Sequence, residues 1–264
     1  MIDWSHWHNE PLLVGGLVLV AWIYALLTGP WRSRLDPDAA YPKGKAAFFY
    51  SGLVVFYLAV GSPLDQIGER YLLSAHMTQH MIIMYAAPLL VILGIPSWLI
   101  DPLLAGKALR RPLKILFHPL TCIIIPALII GVWHAPFMYE WTLEDKWVHI
   151  AEHLMFFIVS LLYWWPVVSP SKLYPSPTYA TRLLYIFGTE LAMIPVSAYM
   201  FFSHDVLYPT YEYAPRIVPG LSAHDDQMIA GIIMKVVGMF VSLIIFGVCF
   251  AAWVKTNETG KRKW

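Results

Sequence analysis

The sequence predicts an all-α membrane protein, a single domain over residues 1–264 built as a seven-transmembrane helix bundle. Hydrophobic residues make up 58% of the chain and charged residues only 13%, whereas an average soluble domain has about 25% charged residues. Seven segments are long and apolar enough to cross a bilayer, which takes roughly 17–25 residues. Basic residues concentrate in alternate loops, as expected of a multi-pass protein.

The seven segments are predicted to be helices because a bilayer offers backbone groups no hydrogen-bond partners, and a helix satisfies them internally. Turn-rich stretches such as "RLDPDAAYPKG" and "SPSKLYPSPT" separate neighbouring segments. The connection 203–226 is long and rich in proline and tyrosine, which is typical of a lid or a docking surface. In chain order, the helices are predicted at approximately 11–29, 45–62, 72–100, 115–137, 146–168, 181–203 and 226–254.

The distribution of charge predicts the orientation of the bundle. Loops 30–45, 101–114 and 169–182, together with the tail after Trp253, hold fourteen of the eighteen Lys and Arg residues. Because positive loops stay in the cytoplasm, the N-terminus is predicted outside and the C-terminus in the cytoplasm. The net charge of +1 gives no reason to expect a nucleic-acid partner. The bilayer itself is the predicted partner, and the sequence leaves open a homo-oligomer.

Histidines lie almost entirely at the outer ends of the segments, with only His118 at a cytoplasmic end. His118 is expected to be structural, and His6, His8 and His204 are each expected to make interfacial hydrogen bonds. The other outer histidines include two pairs spaced four residues apart, so that each pair shares one helix face. These pairs predict the core of a metal site, and they are His76 with His80 and His149 with His153.

Further side chains could extend this site. His134 and His224 lie on neighbouring rims and are predicted as capture or auxiliary ligands. Glu152 and Asp226 are predicted to support the ligands from a second shell. Three methionines share an arc with His76 and His80, and mixed imidazole and thioether ligation suits Cu(I) better than Mg²⁺ or Ca²⁺. Copper is therefore preferred over zinc, with Met77, Met81 and Met84 as auxiliary ligands.

Two ionisable side chains are predicted inside the membrane, Glu190 in the sixth segment and Lys235 in the seventh. Because an isolated charge is costly in a bilayer, we expect them to form an ion pair. A proton or ion path through the same residues is the alternative.

Several longer motifs identify a family likeness. They are "SPLDQIGERYLLSAHMTQHMIIMYAAPLLVILGIP", "GVWHAPFMYEWTLEDKWVHIAEHLMFF", "YWWPV" and "LYPTYEYAPRIVPGLSAHDDQMIAGIIMK". From about the second to the seventh helix the chain resembles the CtaG-type, caa3-type cytochrome c oxidase assembly factors of bacteria. One departure is Lys235, where the family pattern leads us to expect an apolar or aromatic residue. The resemblance implies a multi-pass protein of the bacterial cytoplasmic membrane that helps to mature a haem–copper oxidase.

The predicted function combines the resemblance with the histidine and methionine cluster. The protein would act as a metallochaperone that binds copper in the outer half of the bundle and passes it to an oxidase subunit by ligand exchange, without catalysis. One alternative is a zinc-dependent membrane hydrolase acting on a lipid amide or ester, with Asp65 near the site and Glu152 as base. A third is a bis-histidine haem protein bridging the third and fifth helices.

Overall fold

A computed structural model of the chain describes residues 7–261, so that His6 lies outside the described residues. The structure is helical over 80% of its length. Residues 7–261 contain no β-strand, which confirms the all-α prediction. The helices are α1 Pro11–Thr28, α2 Arg32–Leu35, α3 Lys43–Gly61, α4 Pro63–Arg70, α5 Leu73–Met81, α6 Ala87–Gly94, α7 Ser97–Leu104, α8 Arg110–Leu116, α9 Pro119–Trp133, α10 Pro136–Glu144, α11 Lys146–Val168, α12 Tyr179–Phe202, α13 Pro209–Tyr213 and α14 Ala223–Lys261.

Six helical spans within the described residues are long and apolar enough to cross a membrane. A seventh is obtained if α8 and α9 count as one bent span. The first, second, fifth and sixth predicted segments agree with the observed helices to within two residues. The six spans are Pro11–Thr28, Lys43–Gly61, Leu73–Gly94, Lys146–Val168, Tyr179–Phe202 and Ala223–Glu258.

The fourth predicted helix, 115–137, is not continuous. A 69° bend separates the 3₁₀ turn and α8, Lys107–Leu116, from α9, Pro119–Trp133. The bend falls at His118 because a residue that precedes proline disfavours helical backbone angles. The Nδ1 atom of His118 accepts a hydrogen bond from the Leu120 amide at 3.3 Å, which caps α9. His118 therefore has the structural role that the sequence predicts.

The third span contains a π-helical turn at Ile82–Ala86, between α5 and α6. Pro88 lacks an N–H group, so the Met84 carbonyl has no donor four residues ahead of it. The indole N–H of Trp164 donates to that carbonyl at 3.1 Å and satisfies it. The span ends at Gly94 instead of residue 100, because Ile95 is extended before Pro96.

The helices pack so that α5 contacts α4 and α14, α11 contacts α6 and α9, and α12 lies along α14. Residue 68 in α4 must be small, since a Cβ on Gly68 would lie 3.0 Å from the Cα of His76. In contrast, only 11% of the 18-residue apolar stretch of α1 is buried, and only 22% of the corresponding stretch of α14. Their remaining apolar surface points outward, as a lipid-facing helix requires.

Candidate metal centre

Two pairs of histidines meet inside the bundle, one pair on α5 and one on α11. The Nε2 atoms of His76 and His80 are 2.8 Å apart. Those of His149 and His153 are 3.1 Å apart. Each pair occupies one helix face, as its spacing of four residues predicts. Both pairs therefore place imidazole nitrogens side by side.

The two pairs also face each other. The ring centroids of His76 and His149 are 5.5 Å apart, and those of His80 and His153 are 5.4 Å apart. His76 and His80 are fully buried, and the other two rings are 6% exposed. These four residues, His76, His80, His149 and His153, are called the histidine centre below.

Glu152 adds a carboxylate to the histidine centre. Its side chain is fully buried, and neither oxygen has a hydrogen-bond partner among the described residues. One Glu152 oxygen and one nitrogen each of His76, His149 and His153 lie within 4.8 Å of one another. The Nε2 atom of His80 is 3.9 Å from Glu152 Oε1. A buried carboxylate without hydrogen bonds is costly unless a cation or a proton neutralises it.

The spacing of the nitrogens suits coordination of a small ion. With metal–nitrogen bonds of roughly 2.0–2.1 Å, separations of 2.8 and 3.1 Å subtend about 85–100° at the ion. Two Nε2 atoms at hydrogen-bond distance need one proton between them, whereas a bound cation satisfies both lone pairs. The donor set of imidazole and carboxylate fits copper or zinc.

Hydrogen bonds outside the centre fix which nitrogen faces inward. The Nδ1–H group of His149 donates to Glu69 Oε1 at 2.6 Å. Tyr211 donates its hydroxyl proton to the Gly68 carbonyl at 2.7 Å, and it accepts from His76 Nδ1 at 3.3 Å. Both interactions leave Nε2 as the nitrogen with a free lone pair. Partners of this kind orient histidine ligands in metal sites and raise their basicity.

His134 joins the edge of the centre. Its ring lies 5.7 Å from that of His80, and its Nδ1–H donates to the Ile130 carbonyl at 2.7 Å. The Nε2 atom of His134 and the Nδ1 atom of His80 are buried without a hydrogen-bond partner among the described residues. These two nitrogens are available to coordinate an ion or to form a hydrogen bond with a water molecule.

Three tyrosines cover the centre from the predicted outer end, and no spacing or motif in the sequence predicted their contact with it. Tyr139, Tyr208 and Tyr211 are at most 1% exposed. The hydroxyls of Tyr139 and Tyr211 are 3.0 Å apart, and Tyr208 donates to the His134 carbonyl at 2.9 Å. Tyr208 and Tyr211 belong to the connection 203–226. Its richness in tyrosine was the sequence feature that could have indicated this contact with the centre. This connection therefore closes over the centre.

A rim of carboxylates lies beside the centre on α4. Asp65, Glu69 and His149 form a second group whose ligand atoms lie within 4.8 Å of one another. Asp65 Oδ2 lies 2.8 Å from His8 Nδ1, and Asp65 Oδ1 accepts from Gln79 Nε2 at 2.5 Å. His8 thus pairs with a buried carboxylate. The sequence predicts an interfacial hydrogen bond for His8 but does not identify Asp65 as its partner.

Charge pairing shifts the pKa values of the rim. The hydrogen bond to Asp65 raises the pKa of His8 above its ordinary value. Burial alone would raise the pKa of Glu69, but the hydrogen bond from His149 outweighs it, and the pKa of Glu69 is lowered. The rim therefore keeps Glu69 ionised beside the histidine centre.

The three predicted auxiliary methionines all lie in the hydrophobic core around α5, where Met77 is fully buried. Met81 and Met84 also line a small internal cavity.

The structure directs His224 and Asp226 to different neighbours. His224 Nε2 lies 3.1 Å from the Ser203 carbonyl at the end of α12. It belongs to neither candidate metal group among residues 7–261. Asp226 accepts hydrogen bonds from the Leu73 amide at 2.7 Å and the Ser74 amide at 3.3 Å. Asp226 thus fixes the start of α5, which carries His76 and His80.

Glu190 and Lys235 form an ion pair between α12 and α14. Lys235 Nζ is 2.6 Å from Glu190 Oε2, and Ser242 donates to Glu190 Oε1 at 2.7 Å. The pair lines the same cavity as Met81 and Met84.

The fold and the centre together define a multi-pass helical membrane protein with a buried, histidine-rich site. The profile of the cytochrome c oxidase caa3 assembly factor family matches residues 22–256, and the chain belongs to that family. Comparisons with curated proteins and with solved structures give no match.

Proposed function

We propose that this oxidase assembly factor binds copper at the histidine centre and delivers it to a subunit of a haem–copper oxidase. The observation that carries the proposal is the convergence of four buried imidazoles on one buried carboxylate, Glu152, that accepts no hydrogen bond from the described residues. Buried groups of this kind in a membrane protein are costly and usually functional. A family devoted to assembling a copper enzyme provides a reason for the cost.

Copper is favoured over zinc by what surrounds the centre. Met81 directly follows His80 in α5, and Met84 lies one turn further along the same span. Thioethers bind Cu(I) well and zinc poorly, whereas imidazoles accept either metal. Copper could therefore exchange between imidazole and thioether ligands without leaving the bundle.

Capture and release would take place at the tyrosine-covered end. The rim carboxylates attract a cation there, and Glu69 holds His149 with its Nε2 atom inward. Opening of the connection 203–226 would separate Tyr211 from His76 and uncover the centre. An oxidase subunit docked at this end would then receive the ion by ligand exchange.

A zinc hydrolase is the second candidate, and Glu152 is the observation that favours it. A catalytic zinc site typically has three protein ligands, a bound water and a nearby carboxylate base. However, His76, His80 and Glu152 are fully buried, so no lipid carbonyl can reach them in this conformation. Zinc-dependent release of a fatty acid by the purified protein would support this candidate over copper delivery.

A bis-histidine haem is disfavoured by the same geometry. Axial ligands stand on opposite faces of a macrocycle. In the histidine centre the Nε2 atoms instead face each other within one helix, at 2.8 Å for His76 with His80 and at 3.1 Å for His149 with His153, so they are not arranged as axial ligands on opposite faces.

The proposal can be tested in cells that produce the oxidase. Replacing His76 and His80 together by alanine should lower the copper content and the activity of the oxidase, since both nitrogens of one pair are lost. His204→Ala is the matched control, because His204 is exposed at the same predicted outer end. Amounts of each variant in the membrane must be equal, and the milder His80→Gln distinguishes lost ligation from misfolding. Normal oxidase copper in both variants would refute delivery through this centre.

A further inference from the structure

The small internal cavity lined by Met81 and Met84 lies deeper in the bundle, next to the histidine centre. It measures about 30 Å³, and four methionine side chains line it. A water molecule needs roughly 10–15 Å³ of such space, so the cavity admits one ion or one or two water molecules and excludes larger ligands. The four are Met81, Met84, Met193 and Met234, contributed by the third span, α12 and α14.

These methionines also belong to the packed core, because Met81, Met84 and Met234 are part of the hydrophobic cluster around α5 and Met193 packs against it. Methionine is flexible and unbranched, which makes it the side chain best able to fill an irregular gap. Four of the eleven methionines in the chain nevertheless surround a space that remains open. The open space is therefore a feature of the site rather than a shortage of adaptable side chains.

Apart from the Glu190–Lys235 pair, the cavity offers neutral donors, namely the four thioethers and the hydroxyls of Ser160, Tyr85 and Tyr163. Of these donors, only the thioethers are soft ligands. Both Glu190 oxygens are already engaged, one by Lys235 at 2.6 Å and the other by Ser242 at 2.7 Å. The Ser197 hydroxyl, also in the lining, donates to the Met193 carbonyl at 3.3 Å. Hard cations such as Mg²⁺ require oxygen ligands, whereas a soft monovalent ion is held by neutral sulfur.

The cavity adjoins the histidine centre through residues that neighbour both. Met81 follows His80 in the chain. The Ile130 side chain lines the cavity, while its carbonyl accepts from His134. The π-helical turn Ile82–Ala86 falls between the histidines and Met84, and such turns are frequent at functional sites.

We propose that this cavity is a second metal site, which holds one soft monovalent cation, cuprous copper, through the sulfur atoms of Met81, Met84, Met193 and Met234. The neutral sulfur ligands and the internally neutralised Glu190–Lys235 pair select a monovalent ion over a divalent one. The site goes beyond the proposed histidine centre and does not require that centre to bind copper.

The test uses silver(I) as the probe, because it has the charge and ligand preference of cuprous copper without its redox chemistry. Detergent-purified full-length protein is loaded with silver(I) for measurement of stoichiometry and of X-ray absorption at the silver edge. The wild type should show sulfur neighbours around the metal. Met193→Leu combined with Met234→Leu should lose those neighbours and about one equivalent of silver.

Met239→Leu is the matched control, since Met239 lies on α14 like Met234 but is 42% exposed on the outside. It should bind like the wild type. The His76→Ala/His80→Ala protein should keep the sulfur neighbours, which separates this proposal from the histidine centre. Absence of sulfur neighbours in the wild type, or their persistence in the double leucine variant, would overturn the proposal. If the double variant does not fold, Met193→Leu alone should lower the number of sulfur neighbours around silver, and an unchanged number would overturn the proposal.

Discussion

Glu69 offers the sharpest perturbation of the histidine centre without removing a ligand. Its Oε1 atom accepts the Nδ1–H of His149 at 2.6 Å, and its side chain is 27% exposed. Replacing such an outer partner typically weakens metal binding by about 10–100-fold, which corresponds to about 1.4–2.7 kcal/mol. Glu69→Gln keeps an acceptor oxygen but removes the negative charge, so we expect the lower end, about tenfold.

The assay is a competitive copper titration of purified protein against a chelator of known affinity. Glu144→Gln is the matched control, because Glu144 ends α10 at the same predicted outer end and is exposed. It should leave the copper dissociation constant unchanged. Equal dissociation constants for Glu69→Gln, Glu144→Gln and the wild type would refute the reasoning that Glu69 orients His149 for metal binding.

Three further changes test the scaffold around the sites. Gly68→Ala places a Cβ 3.0 Å from the His76 Cα. The free energy of unfolding in detergent should therefore fall by about 1–3 kcal/mol, and copper binding should weaken. Wild-type stability together with wild-type copper binding would contradict the close helix contact. Asp226→Asn weakens the acceptor for the first amides of α5 and should cost about 1 kcal/mol; unchanged thermal unfolding would contradict that role. Glu190→Gln leaves the Lys235 ammonium unpaired, and because the pair is 19–32% exposed the cost should be about 1–2 kcal/mol, below that of a fully buried pair. Thermal unfolding should improve again in Glu190→Gln/Lys235→Met, and failure to improve would argue against a structural pair.

The sequence was sufficient to predict the two histidine pairs because helix geometry is local. A spacing of four residues puts His76 with His80 and His149 with His153 on common faces, whatever surrounds them. Glu69 and the tyrosines could not be found in this way. Their contacts depend on how α4 and the connection 203–226 fold back over the bundle, which no local periodicity specifies.

The helix breaks also differ in how well nearby residues predict them. Pro96 and Pro119 stand in the sequence where the predicted third and fourth helices are interrupted, so both breaks had a local signal. The π-helical turn also has a nearby proline, Pro88, but a proline alone does not specify this kind of turn. The Met84 carbonyl that it leaves without an amide donor is satisfied by Trp164, eighty residues away.

His224 illustrates a limit of placing residues by depth alone. It lies at the predicted outer end, but it is two residues from Asp226, about 200° around the helix. Since Asp226 faces the start of α5, His224 faces away from that helix toward Ser203. Predicting the direction of the His224 side chain requires knowing which helices pack against α14.

The most direct test of the central claim is elemental analysis of detergent-purified protein from copper-replete cells, with the wild type beside the His76→Ala/His80→Ala variant. We expect copper in stoichiometric amount in the wild type and a loss of at least one equivalent in the variant, accompanied by loss of nitrogen neighbours in the copper-edge X-ray absorption spectrum. Equal copper contents with unchanged nitrogen neighbours, or no copper in the wild type, would contradict the account.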